Sequence, residues 1–141
     1  MLNALQELLE RMSDCAKVLE DIIIEEQEAA RRFDGDALVG LINRRVEAYQ
    51  GLASLKDDVK ALIASSGLSD EMTLETFIDL HTGSDRSRFQ PLRRELYERM
   101  TRIEKGNTDN RIRLHAAYDV STNVLQHVGM VEQRQTYGPV K

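Results

Sequence analysis

No tryptophan occurs in the chain, and its 141 residues include one cysteine and two prolines. A single cysteine excludes an internal disulfide framework and a four-cysteine zinc site. The longest notable apolar run, Ile22-Ile23-Ile24, falls far short of the roughly 20 residues that a membrane-spanning helix needs. The N-terminal stretch MLNALQELLERM is acidic where a secretory signal would carry lysine or arginine, and it lacks a cleavage site. Neither sign of charge dominates: 19 basic residues stand against 24 acidic ones, a net of −5. Such a balance argues against a chain whose main work is to blanket phosphates. Aromatics amount to 5%. So few prolines and aromatics hint at long helices with little loop, and the missing span and signal imply a soluble intracellular protein with no direct membrane insertion.

Helical periodicity is what the sequence has in abundance. Leu2, Leu5, Leu9, Met12, Ala16, Leu19, Ile23, Glu26, Ala30 and Phe33 form a seam in alternating steps of three and four, apolar everywhere except Glu26. Strict alternation along a strand cannot produce that spacing. Leu8, Cys15 and Ile22 form an adjoining row, so the stripe is wider than a two-stranded zipper needs and predicts a bundle of three or more helices. Asp34-Gly35-Asp36 breaks the pattern, with Gly35 expected as the stop and Asp36 as the next N-cap. A second seam runs Leu38, Leu41, Arg45, Ala48, Leu52, Leu55, Val59, Leu62, with Arg45 alone out of character. The short connection folds this helix back antiparallel. Ser65-Ser66-Gly67 ends it. A short connecting helix is expected within 68–88, starting near Leu68-Ser69-Asp70-Glu71.

The last helical stretch spans about 89–131, with Pro91 in its first turn. Its seam begins Phe89, Leu92, Leu96, Ile103 and resumes Leu114, Tyr118, Ser121, Leu125, Val128. Between them lies the polar stretch 104–111, which reads as a break, a kink or a polar layer in the core. The fold class is therefore all-α: an antiparallel bundle of three long helices plus a short connecting helix over 1–131. Residues 132–141 lose the pattern and are expected to form a flexible tail.

Chemistry is sparse. No HExxH, phosphate-binding glycine loop or nucleophile elbow occurs, so no catalytic residue, cofactor or metal is assigned and the protein is not expected to be an enzyme. None of His81, His115 and His127 follows a glutamate by three; His115 and Asp119 stand one turn apart without a visible third ligand. Cys15 reads as a buried thiol, and glycines 35, 67, 83 and 106 as punctuation. Residues 1–36 carry a net −6 and residues 86–113 a net +5. An acidic first helix lying beside a basic last one explains this better than a nucleic-acid stripe along Arg86, Arg88, Arg93, Arg94, Arg99 and Arg102. Glu95, Glu98 and Glu104 interrupt that stripe, and no nucleic acid is expected as a partner.

The stretch LHAAYDVSTNVLQHVGMV, residues 114–131, has one charged residue, Asp119, in a chain that is 30% charged. It reads either as a helix buried on several sides, as at a homodimer interface, or as a docking face for an amphipathic segment of another protein. Both readings mean protein–protein contact through Leu114, Ala117, Tyr118, Val120, Val124, Leu125, Val128 and Val131.

The chain also resembles the FlgN family of flagellar type III export chaperones over nearly its whole length. The resemblance lies in the leucine-rich first helix ending EEQEAARRF, the turn and second helix FDGDALVGLINRRVEAYQGLASL, the late asparagines in NTDNRIRLHAAYDVSTNVLQHV, and the tail Gln135-Thr136-Tyr137-Gly138. Asn110-Arg111 stands where the family often has Asn-Gly, and Pro139 where another glycine is common. The resemblance implies a cytosolic helical chaperone that binds hook-filament junction proteins by their terminal helices, keeps them soluble and delivers them for export. It implies that the late amphipathic helix binds cargo, and that Tyr137, with Gly138 beside it, contacts the membrane protein of the export gate. The alternative is a helical scaffold that dimerises through the same helix and has no export role.

Overall fold

The computed structural model describes residues 2–67, 72–81 and 83–128, without the side chains of His81, Leu114, Ala117, Tyr118, Val120 and Ser121. Within them all regular secondary structure is helical: α1 (Leu2–Arg31), α2 (Gly35–Ser65), α3 (Leu74–His81) and α4 (Arg86–His127), with a 3-10 turn at Gly83–Asp85 leading into α4. These are the three long helices and the short connector that the periodicity predicts. The expected tail, 132–141, lies outside the described residues, as does the expected helix start at 68–71. Thr73 caps α3 instead, its hydroxyl oxygen accepting from the Thr76 amide at 3.1 Å. None of the described helices is long and apolar enough to cross a membrane.

α1 is the axis of the bundle, packing along both α2 and α4. α2 returns antiparallel, so that Cys15 Sγ donates to the Ala48 carbonyl at 3.1 Å near mid-helix and Arg44 meets Glu25 at 3.2 Å near the turn. α4 runs parallel to α1. Its pairings climb together, Arg88 with Gln6, Arg99 with Glu20 and Asn110 with Ile23. The topology is thus up, down, up, with the 66–85 connection crossing the base.

The α1 seam is buried at Leu5, Leu9, Ala16, Leu19, Ile23 and Glu26, against Val59 and Ile63 of α2 and Phe89, Leu96 and Ile103 of α4. The adjoining row explains the width of the stripe, because Ile22 and Ala29 pack on Leu41 of α2. At the base, Phe77 and Ile78 of α3 are wholly buried in the same cluster. Gly106 is helical and not punctuation: a Cβ there would stand 2.7 Å from Ile23 Cγ2. Its bare backbone lets α4 lie close on α1.

Three sequence expectations fail at the helix ends. α1 stops at a Schellman turn in which Phe33, not Gly35, takes the left-handed conformation, with φ 56. The amide of Asp34 donates to the Ala29 carbonyl at 2.9 Å and that of Phe33 to Ala30 at 3.1 Å, which satisfies the last carbonyls of α1. Phe33 therefore leaves the seam and is 75% exposed. Asp34, not Asp36, caps α2, accepting from the Ala37 amide at 3.1 Å. Gly35 is simply the first residue of α2. Finally, α4 begins at Arg86, which puts Pro91 in its second turn. The Ser87 carbonyl that loses its helical donor there belongs to an exposed residue, open to water.

Candidate functional site

The polar stretch of α4 is not a break, since the helix is continuous from Arg86 to His127. It forms a polar layer. Glu26 and Arg45, the two residues out of character on the α1 and α2 seams, meet in a two-pronged ion pair, Arg45 Nε donating to Glu26 Oε2 at 3.0 Å and Nη2 to Oε1. Arg45 Nη1 also donates to Asn107 Oδ1 at 2.5 Å, and Asn107 Nδ2 to the Tyr49 hydroxyl at 2.8 Å. Asn110, buried, donates to the Ile23 carbonyl at 3.1 Å and to Glu26 Oε1 at 3.2 Å, while accepting from Arg113 at 3.2 Å. A buried carboxylate is tolerated only with such partners. This layer fixes the register of all three long helices at one height.

Below the layer, the basic stretch of α4 is neutralised by α1 and its neighbours. Glu20 accepts from Arg99 at 2.6 Å and Arg102 at 2.7 Å. Burial pushes the Glu20 carboxyl up, but the hydrogen bonds from Arg102 and Arg99 outweigh it and hold the pKa below its ordinary value. Arg88 donates to Gln6 and Asn3, and Arg93 lies 3.9 Å from Glu75. Four of the six arginines weighed as a nucleic-acid stripe thus face partners within the chain. Cys15 is half-buried, and burial pushes its thiol pKa up, which keeps it a hydrogen-bond donor to Ala48. Among the described residues, no group of three or more His, Cys, Asp or Glu side chains is gathered closely enough to hold a metal.

Above the layer, α4 changes character. With Asn110 level with Ile23 and Glu26, the end of α1 at Arg31 stands level with about residue 115. At 1.5 Å per residue, α4 then runs roughly 18 Å beyond the end of α1. Every described side chain from Arg111 to Val128 is exposed, except the half-buried Thr122. Val124, Leu125 and Val128 are 55%, 46% and 63% exposed, and Ile112 is exposed with them. Of the sequence-derived contact residues, these three valine and leucine positions are thus placed on an uncovered helix end. Leu114, Ala117, Tyr118 and Val120 lie on the same helix with undescribed side chains; Val131, Tyr137 and Gly138 lie outside the described residues.

The sequence reading missed a second exposed apolar row, Val39, Ile42 and Val46 on α2. Its signal was present as residues at i, i+3 and i+7 beside the main seam. Ile42 and Tyr49 form one wall of a groove of about 810 Å³, with Glu104, Thr108, Arg111 and His115 of α4 opposite and Glu26, Arg45, Asn107 and Asn110 also lining it.

The fold and the site thus define a helical bundle whose last helix runs past its neighbours with apolar side chains exposed. The family model described as FlgN protein matches residues 1–141. The chain belongs to the FlgN family, and with it to the flagellar export chaperones. No curated protein and no solved structure matches it.

Proposed function

We propose that this protein acts in the cytosol as a chaperone for hook-filament junction proteins, capturing a terminal helix of the client on the distal part of α4 and delivering it to the export gate. One observation carries this reading: the helix end that extends past α1 exposes Val124, Leu125 and Val128 in a stretch nearly free of charge. Terminal helices that pair only after assembly have apolar faces that aggregate when free, and an uncovered apolar helix is what such a face can pack on. The tail supplies the second contact, Tyr137 with Gly138 meeting the membrane protein of the gate while the bundle holds the client.

The test is capture of a purified hook-filament junction protein by the Val124→Asp, Val128→Asp chain. Charging two exposed positions leaves helix content unchanged and lowers client affinity at least tenfold, about 1.4 kcal/mol. Wild-type affinity would place the docking face elsewhere. In the same experiment Tyr137→Ala keeps the client and loses the gate protein; undiminished gate binding would remove that role. Light scattering of the free protein addresses the competing scaffold, which requires a tight dimer that the charged variant dissociates.

A further inference from the structure

We propose that the client-docking surface has a second wall on α2, the exposed apolar row Val39, Ile42 and Val46 whose member Ile42 lines the groove facing α4, and that this groove selects an amphipathic helix by charge order. The inference rests on the chaperone reading above and adds to it a location and a selection rule. Val39, Ile42 and Val46 are 61%, 52% and 49% exposed, and with Tyr49 they share one face of α2 at i, i+3, i+7 and i+10. Core packing on α1 uses Leu41 and, toward the base, Val59 and Ile63, and Tyr49 packs beside that core, whereas Val39, Ile42 and Val46 belong to neither buried cluster.

The two ends of the bundle show what this groove lacks. At the base, Phe77 and Ile78 of α3 join the side chains of α1, α2 and α4 in one buried cluster. At the distal end α2 and α4 both flank α1, yet Ile42 faces α4 across an open groove, while Tyr49 reaches α4 through its hydroxyl, which accepts from Asn107. The polar groups in between are already satisfied, Arg45 by Glu26 and Asn107, and Asn110 by Glu26 and Ile23. An occupant therefore needs to supply apolar contact and few hydrogen bonds. A helix does that, because its own backbone groups are paired internally.

Charge narrows the occupant further. Glu104 and Arg111 line the α4 wall, and among the described residues neither side chain has an ion-pair partner, whereas their neighbours Lys105 and Asp109 pair with each other at 3.1 Å. Seven residues separate them, so they stand on one face about 10 Å apart. The complementary helix carries a basic residue opposite Glu104 and an acidic one two turns along, opposite Arg111, beside an apolar stripe for Ile42 that reaches the adjoining exposed Val46. The same helix, continuing past the end of α1, meets the free end of α4.

The experiment measures affinity for a synthetic peptide of the terminal helix of a hook-filament junction protein. Four chains are compared: wild type; Ile42→Asp with Val46→Asp; Glu104→Arg with Arg111→Glu; and Val124→Asp with Val128→Asp. All substituted positions are exposed, and circular dichroism confirms that helix content is kept. The α2 variant is expected to bind at least tenfold more weakly, and the charge-exchanged variant about fivefold more weakly at low salt, with the deficit shrinking as salt rises. If only the Val124, Val128 variant loses the peptide, the α2 wall is overturned and the chaperone reading stands. If only the α2 variant loses it, the wall stands and the distal-α4 site fails. An α2 variant that keeps the peptide but turns a dimer into a monomer in light scattering makes this face a self-interface and overturns the proposal. A charge exchange without effect at any salt overturns the selection rule.

Discussion

The base and the distal end of the bundle are built from similar helices but finished in opposite ways. The base is dry and closed: Phe77, Ile78 and Phe89 are wholly buried, and the chain turns there on glycines, Gly67 with φ 82 and Gly83 with φ 53. The distal end is wet and open. Its three-helix core stops at the Glu26–Arg45–Asn107–Asn110 layer, beyond which Ala29 and Leu41 pack α1 on α2, its turn forces a phenylalanine into the left-handed region, and α4 continues past its support with Val124, Leu125 and Val128 exposed. Stability is concentrated where the apolar surface is covered by the chain itself. Function is expected where the same kind of surface is left for another chain to cover.

The sharpest way to break this comparison is to truncate one large apolar side chain at each end. Phe77→Ala removes a fully buried ring from the base cluster and is expected to cost about 3–5 kcal/mol. Val128→Ala, at an exposed position, is expected to stay within about 0.5 kcal/mol. Urea unfolding followed by circular dichroism measures both. Comparable losses would mean that the distal α4 surface supports the fold after all, and that the two ends do not divide the work.

The boundary between the ends is the next target. Arg45→Ala takes away the two-pronged partner of Glu26, whose side chain is 8% exposed, and one partner of Asn107. Losing one member of a buried pair costs about 3–5 kcal/mol; the partial exposure of Arg45 sets the expectation at about 3 kcal/mol. Arg45→Met with Glu26→Met, which removes both charges while filling the space, should recover most of that loss. A single substitution that costs under about 0.5 kcal/mol would show the layer to be a surface ornament, with the core ending lower on α1.

How much of this was legible in the sequence depends on which contact is asked about. Seam positions such as Leu5, Leu9, Leu19, Val59 and Ile103 could be read directly, because a 3.5-residue spacing encodes which side of a helix is covered. Glu26 and Arg45 were visible as the single exceptions on their seams. Their pairing was nearly legible too, since a turn centred on Asp34 sets residues 25–26 of one helix across from 44–45 of the next. Asn107 and Asn110 were not, because their height against α1 is set through the long 66–85 connection, whose span the periodicity does not measure. The cap positions were misread for a local reason: glycine is the usual left-handed residue, and Gly35 stood close enough to attract the role that Phe33 holds. At the candidate site, the bareness of 114–131 pointed to contact with another chain. What sequence alone left open was whether the chain itself covers that helix, and the placement of Val124, Leu125 and Val128 beyond the end of α1 separates burial within the monomer from exposure.

The smallest expected effect probes the distal turn. A non-glycine residue in the left-handed conformation costs roughly 1–2 kcal/mol, and Phe33, with φ 56 and 75% exposure, recovers little of it through burial. Glycine there relieves the strain but adds chain entropy to the unfolded state, about 0.5–1 kcal/mol. The difference leaves Phe33→Gly more stable by about 0.5–1 kcal/mol, a rise in melting temperature of roughly 2–4 °C for a domain of this size. The equivalent exchange at the base, Gly67→Ala at φ 82, moves the other way by a similar amount. A melting temperature that falls with Phe33→Gly would mean that the ring makes contacts outweighing its backbone strain, and that the distal end is more closed than its exposed side chains imply. A rise confirms that this end carries strain which the base, turning on glycine, does not.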